Sequence, residues 1–196
     1  MITDLKFVQA IHRIDLENSQ DPNNENFNGK SYPKELLYSQ RMTEKLLEFD
    51  PVAPKELQIA ARAQHICRWE IPRDSYPMDK VGYLRWREEL KKMHAEKASD
   101  ILKDIGYDQD FINLVAFLIQ KKLLKKDTGT QTLEDVVCLV FLQFYFEDFA
   151  SKHEDEKIID IIRKTWKKMS AKGHEAALSL QLSDKSLSLI KSAISE

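Results

Sequence analysis

The sequence predicts an all-α fold, on three observations. Apolar residues recur at helical spacing along nearly the whole length. Only five glycines and six prolines occur in 196 residues, few for a β-rich chain with many tight turns. One segment, 136–146, is apolar on nearly every side and flanked by charged helical stretches, the pattern of a buried helix.

The elements follow in order. Leu5, Val8, Ile11 and Ile14 recur every three residues and place a first helix over 4–18. The run QDPNNENFNGKSYP (20–33) reads as a polar loop. Pro33 suits a helix start, and a second helix is expected to residue 49. After Pro51 and Pro54 a third helix spans 55–70, stopped by Pro72, which disfavours helix at the residue before it. IPRDSYPMD has no helical period and is a loop. A long fourth helix covers 80–105 and ends at Gly106, in the usual capping place. A fifth spans 108–124. Thr132, with Asp135 three residues on, marks the start of a sixth that runs to about 152 and is expected at the centre of the bundle. A seventh covers 156–169, and two short helices finish the chain.

Helix must therefore pack on helix, in a single all-α domain over 1–196 without a sheet. At this length a chain buries roughly 70% of its unfolded surface. A formal charge of −2 gives no global field favouring nucleic acid or an anionic membrane, so an anion site must come from local clustering. No apolar run approaches the roughly 20 residues that span a bilayer. The start of the chain lacks the basic and apolar stretches of a secretory signal. Cys67 and Cys138 sit in apolar helical patterns and read as buried free thiols. The expected compartment is the cytoplasm.

No strong catalytic signature is present, neither a Gly-rich phosphate loop, nor paired cysteines, nor a nucleophile elbow. The chemically dense segment is 62–76. Gln58, Arg62, His65 and Trp69 are four, three and four apart, one stripe of the third helix, with Arg68 beside it. The bland reading is a solvated polar face. Two features oppose it: the stripe carries His, Arg and Trp in place of Glu and Lys, and it leads into Arg73 and Tyr76 on a Pro-bounded loop. Arginine suits bidentate capture of phosphate or carboxylate, and the aromatic rings can stack on a base or sugar. On the fourth helix Leu90, His94, Ala98, Ile101 and Ile105 share a core-facing side. His94 is there either a hydrogen-bonded core residue or, if it meets His65, half of a proton-sharing pair. His12, His153 and His174 show no partner. KKLLKK (121–126) reads as a solvated helix end, and Trp166 in RKTWKKM as core packing.

RWEIPRDSYPM (68–78) and TWKKMS (165–170) resemble a family of uncharacterised proteins, domain-of-unknown-function family 4202, which brings no established activity. A more distant resemblance is to the HD superfamily of metal-dependent phosphohydrolases, which are all-α. YSQRM (38–42) looks like their first ligand helix, with Tyr38 in the His place. IAARAQHIC (59–67) looks like the second, with Gln64-His65 where His-Asp belongs. The stretch 94–120 resembles a following helix pair, with His94 at an accessory-ligand position, and LEDVVCLVFLQF (133–144) the last helix, with Leu142 near the expected Asp. Tyr38, Gln64 and Leu142 depart from the ligand set, and a divalent ion needs histidine nitrogens and carboxylate oxygens. The resemblance thus implies an HD-like bundle without the metal.

Three functions compete. The first is metal-free and cofactor-free binding of a phosphorylated small molecule or nucleotide, or action on it. Arg41, Arg62, Arg68, Trp69, Arg73 and Tyr76 would be its ligand contacts, and His65 and His94 its catalytic candidates. The second is metal-dependent phosphohydrolysis with atypical ligands. The third is an RNA-associated or protein-interaction module. The oligomeric state is not legible.

Overall fold

A computed structural model describes residues 4–194. Its regular structure is helical apart from one small hairpin, in agreement with the predicted all-α class. Two compact units emerge, Met1–Lys122 and Leu123–Glu196.

The first unit contains α1 (Leu5–Asn18), α2 (Lys34–Phe49), α3 (Lys55–Arg62), α4 (Lys80–Ile105) and α5 (Gln109–Ile119). Side-chain caps start three of them. Asp4 accepts from the Phe7 N–H, Asp79 from Gly82 and Asp108 from Phe111. The Asp79 cap explains why α4 begins at Lys80, and Gly106, at φ 86°, ends it. α4 packs on α5 and α1, and α3 packs on α2 and α5. The core between them holds Ile14, Met42, Leu46, Ile59, Ile66, Leu102 and Ile119.

The expectation of no sheet is corrected here. Asn24–Phe27 (β1) and Lys30–Pro33 (β2) form an antiparallel hairpin, with Asn24 opposite Pro33 and Phe27 opposite Lys30. Its turn is Asn28-Gly29, with φ of 49° and 74°. Two successive positive φ values are what an Asn-Gly hairpin turn supplies. The dipeptide was visible in the sequence and marks more than a loop. Arg41 from α2 pins the hairpin through an ion pair with Glu25 and by lying 4.7 Å from the Phe27 ring centre.

Two helix ends fall short of their expected places. α3 stops at Arg62, not near residue 70. Cys67 takes a left-handed conformation, φ 53°, and its N–H donates to Asn18 Oδ1 at 3.1 Å. Short 3-10 turns follow at Arg68–Glu70 and Arg73–Ser75. α5 stops at Ile119, and Lys121, Leu123 and Lys125 all have positive φ.

The second unit contains α6 (Thr128–Val140), α7 (Phe146–Ser151), α8 (Asp155–Lys168), α9 (Ala171–Leu178) and α10 (Asp184–Ile194). α6 begins earlier than expected because Asp127, not Thr132, caps it, accepting from the Thr130 N–H at 2.7 Å. The single helix expected over 132–152 is interrupted by a wider π turn at Phe141–Tyr145. Leu133, Val136, Leu139, Val140, Leu142 and Phe146 are at most 1% exposed, as the apolar pattern predicts. Buried Asp135 ties the α8–α9 junction to α6: its carboxylate accepts from the Ser170 N–H at 2.8 Å and the Ser170 hydroxyl at 2.6 Å. Trp166 is half-buried and stacks on His174, with rings 4.1 Å apart, so both residues have partners the sequence did not reveal. Cys67 and Cys138 are free and buried. Among the described residues no helix is long and apolar enough to cross a membrane.

Candidate functional site

The early end of α3 creates the site. Beyond Arg62 the backbone carbonyls lose their regular helical partners and become available to side chains. Ile66 O is one of them, and His94 Nδ1 lies 2.7 Å from it. His94 comes from the core-facing side of α4, is 2% exposed, and reaches the turn after α3 through that contact. His65, on the same turn, comes to 5.9 Å from His94 between ring centres. The two histidines therefore meet.

Around them the first unit forms an open cleft. It encloses about 420 Å³, counting the space open to solvent. Gln64, His65 and Arg68 line it from the turn after α3. Tyr83, Trp86, Arg87, Leu90, Lys91 and His94 come from α4, and Lys121 from the chain after α5. The α4 residues repeat at three and four, so one helix face supplies an aromatic wall, two cations and a histidine.

The ring of His65 is fixed on two sides. Tyr38, from α2, stacks on it at 4.0 Å with planes 10° apart. Glu35, in the first turn of α2, places Oε2 3.3 Å from His65 Nδ1, without the alignment of a good hydrogen bond. Arg68 stands 3.8 Å from the same carboxylate and lies 5.0 Å from the Trp86 ring centre. Trp86 is itself held, its indole N–H donating to Ile71 O at 2.8 Å.

Charge and burial set the protonation of these groups. Burial first, then the positive charges of Arg68, Lys121, Arg87 and Lys34, hold His65 well below the usual histidine range. Burial, then the neighbouring His65, pushes His94 down to about 3, while its bond to Ile66 O works the other way. Both rings are neutral at pH 7. Burial raises the Glu35 carboxyl, and Arg68 and Lys34 oppose that rise. Cations thus outnumber carboxylates at the cleft, and the histidines remain uncharged within it.

The residues singled out in the sequence divide into two groups. His65, His94 and Arg68 come together in the cleft. Arg62 instead grips Asp15 with two hydrogen bonds of 2.7 Å and Thr43 Oγ1 at 3.2 Å. Arg41 holds the hairpin. Arg73 donates to the carbonyls of Tyr76, Pro77 and Asp79, at 3.0, 2.8 and 3.3 Å, and so folds the loop on which it sits. Trp69 and Tyr76 are half-buried and do not line the cleft. The stripe Gln58, Arg62, His65, Trp69 is not one helical face, because the helix ends in its middle. Arg87, Lys91 and the Tyr83–Trp86 wall were missed. The same three-and-four periodicity that assigns His94 to the α4 core side reaches them one to three turns earlier. Glu35, Gln64 and Lys121 carried no comparable signal.

Gln64, His65 and His94 share the cleft, and Tyr38 joins them through its stack on His65. Among the described residues no group of three or more His, Cys, Asp or Glu is arranged to hold a metal ion.

The family model described as Domain of unknown function (DUF4202) matches residues 8–190, nearly the whole chain. The protein belongs to that family. No curated protein and no solved structure matches it.

Proposed function

We propose that this member of the DUF4202 family binds a phosphorylated small molecule or a nucleotide in the cleft between the α3 turn and α4, without a metal ion. The observation that carries the proposal is the convergence of Arg68, Arg87, Lys91 and Lys121 on one open cleft that also holds two neutral histidines. The chain as a whole is slightly acidic, so this positive cluster is local and not a by-product of composition. Hydrogen bonds from arginine or lysine to phosphate are charge-assisted, each worth about 1.5–3 kcal/mol net. Trp86 and Tyr83 offer an aromatic wall for a base or a sugar face. An HD-like arrangement of helices is part of the same reading, supported by the gathering of Tyr38, Gln64, His65 and His94. Buried free thiols fit a reducing compartment, and we place the protein in the cytoplasm.

The test is thermal stabilisation and calorimetric titration with inorganic phosphate, pyrophosphate and adenosine monophosphate, in the presence of a chelator. Stabilisation at millimolar ligand that is weakened in Arg68→Ala supports the reading. Binding that disappears with the chelator and returns with a divalent ion favours metal-dependent hydrolysis instead. Steeply salt-dependent affinity for single-stranded RNA, with no response to small phosphates, favours the RNA-associated alternative.

A further inference from the structure

The cleft has polar lining groups that its cations do not serve. Gln64 and His94 both line it and are 4% and 2% exposed. A carbonyl only accepts, so the contact of His94 Nδ1 with Ile66 O fixes the neutral ring with its proton on Nδ1. Nε2 then carries a lone pair. Neither His94 Nε2 nor Gln64 Oε1 has a hydrogen-bond partner, and both are buried in residues that line the cleft. A buried polar atom without a partner forfeits its hydration with nothing in return. Two of them among the residues of a cleft that four cations also line point to a ligand that supplies donors as well as negative charge.

The chemistry of those donors is constrained. An ammonium donor would be repelled by Arg68, Arg87, Lys91 and Lys121. Neutral hydroxyls suit the two acceptors.

We infer that the cleft selects phosphate esters whose carbon skeleton carries hydroxyl groups, the phosphate held by the arginines and lysines and two hydroxyls donated to His94 Nε2 and Gln64 Oε1. This rests on the anion-binding reading above and names its ligand class. A site built to accept from a hydroxyl discriminates strongly against the analogue lacking it, because the buried acceptor is then left unpaired.

The experiment is isothermal titration of the wild type with ribose 5-phosphate, 2-deoxyribose 5-phosphate, ethyl phosphate and inorganic phosphate, repeated with Gln64→Met and His94→Phe. Ribose 5-phosphate should bind at least about tenfold tighter than ethyl phosphate, the discrimination one unpaired acceptor provides. Gln64→Met, which removes the acceptor and keeps the volume, should reduce that preference roughly tenfold and leave ethyl phosphate within about twofold. His94→Phe should do the same. If its buried position prevents folding, Gln64→Met alone decides. Equal affinity for ribose 5-phosphate and ethyl phosphate, or an unchanged preference in Gln64→Met, overturns the inference and leaves anion binding standing. If none of the four compounds binds, the anion-binding reading falls and takes the inference with it.

Discussion

Tyr38 and His65 are stacked, with ring centres 4.0 Å apart and planes 10° from parallel. Tyr38 is 8% exposed and comes from a different helix, so the stack fixes the His65 ring plane from outside its own turn. Tyr38→Leu should destabilise the protein by about 2–4 kcal/mol through lost packing. It should also release the His65 ring and weaken phosphate binding. Tyr38→Phe retains the stack. In proton NMR spectra the His65 ring signals should be shifted upfield by the overlying ring in wild type and Tyr38→Phe, and return toward ordinary values in Tyr38→Leu. Unchanged His65 signals in Tyr38→Leu would show that the turn, not the stack, orients the ring.

The buried histidines make stability depend on pH. His94 is depressed to about 3 from an ordinary value of 6.5, and His65 shifts the same way. The unfolded chain therefore binds more protons than the folded one between about pH 3 and 6.5. The stability they contribute is fully present above pH 6.5 and is lost as pH falls, with a slope approaching about 1.4 kcal/mol per pH unit for each histidine. Glu35 acts with the opposite sign. Its carboxyl is raised, so its contribution is present below its ordinary value of 4.5 and lost as pH rises through the folded value. Urea unfolding at pH 7, 6, 5 and 4 should show a steady fall in stability, shallower in His94→Gln. A profile flat from pH 7 to 5 would mean that neither ring is held neutral.

Two arginines separate structure from ligand. Arg62 forms a two-pronged ion pair with Asp15, its side chain 11% exposed. Arg87 lines the cleft and lies 5.7 Å from the Tyr83 ring centre. Arg62→Ala should destabilise by about 2–4 kcal/mol, since it leaves a part-buried carboxylate unpaired, while phosphate affinity stays near wild type. Arg87→Ala should shift stability by less than about 0.5 kcal/mol. It should weaken phosphate roughly tenfold, for the loss of one charge-assisted contact. Chemical denaturation and titration of both variants check this, and the reverse pattern would move the anion site to the α1–α3 contact.

The difference between these arginines marks where sequence reading worked and where it stopped. Helix α4 was legible to the residue at both ends, because an Asp and a Gly there act through local geometry. The buried character of 133–146 was legible for the same reason: periodicity is local. The encounter of His65 with His94 could be named as a condition but not established, since it joins residues 29 apart through a turn. That turn depends on Asn18, which accepts from the Cys67 N–H. Nothing in the segment 62–70 announces a partner from α1. Spacing alone made Arg62 and His65 neighbours, and the helix end between them turned Arg62 toward Asp15. The hairpin was a different kind of miss. Its Asn-Gly signal was local and present, but short strands in a helical chain carry little apolar alternation.

Gly82, in the first turn of α4, packs against the backbone of the loop that follows α3. A Cβ placed on Gly82 would lie 2.1 Å from the carbonyl oxygen of Pro77 and 2.8 Å from its carbon. Both are backbone atoms, so no side chain can rotate away. Pro77 O also accepts from Arg73 at 2.8 Å, and the Gly82 N–H donates to the Asp79 cap at 2.7 Å. One methyl group at this position must therefore displace the loop, the Arg73 clamp and the start of α4 together. Trp86 and Tyr83, which wall the cleft, stand in the first two turns of that helix. Gly82→Ala gains helix propensity worth up to about 1 kcal/mol in an exposed helix. Against it stands overpacking of about 1–3 kcal/mol, and more where backbone must move. The net expectation is a loss of stability together with weaker phosphate binding. Arg73→Ala, which frees the same loop without a clash, should show the milder version of both. Denaturation midpoints for the two variants measure the first effect and phosphate titration the second. A stabilised Gly82→Ala protein would mean that the loop can yield without disturbing the helix start.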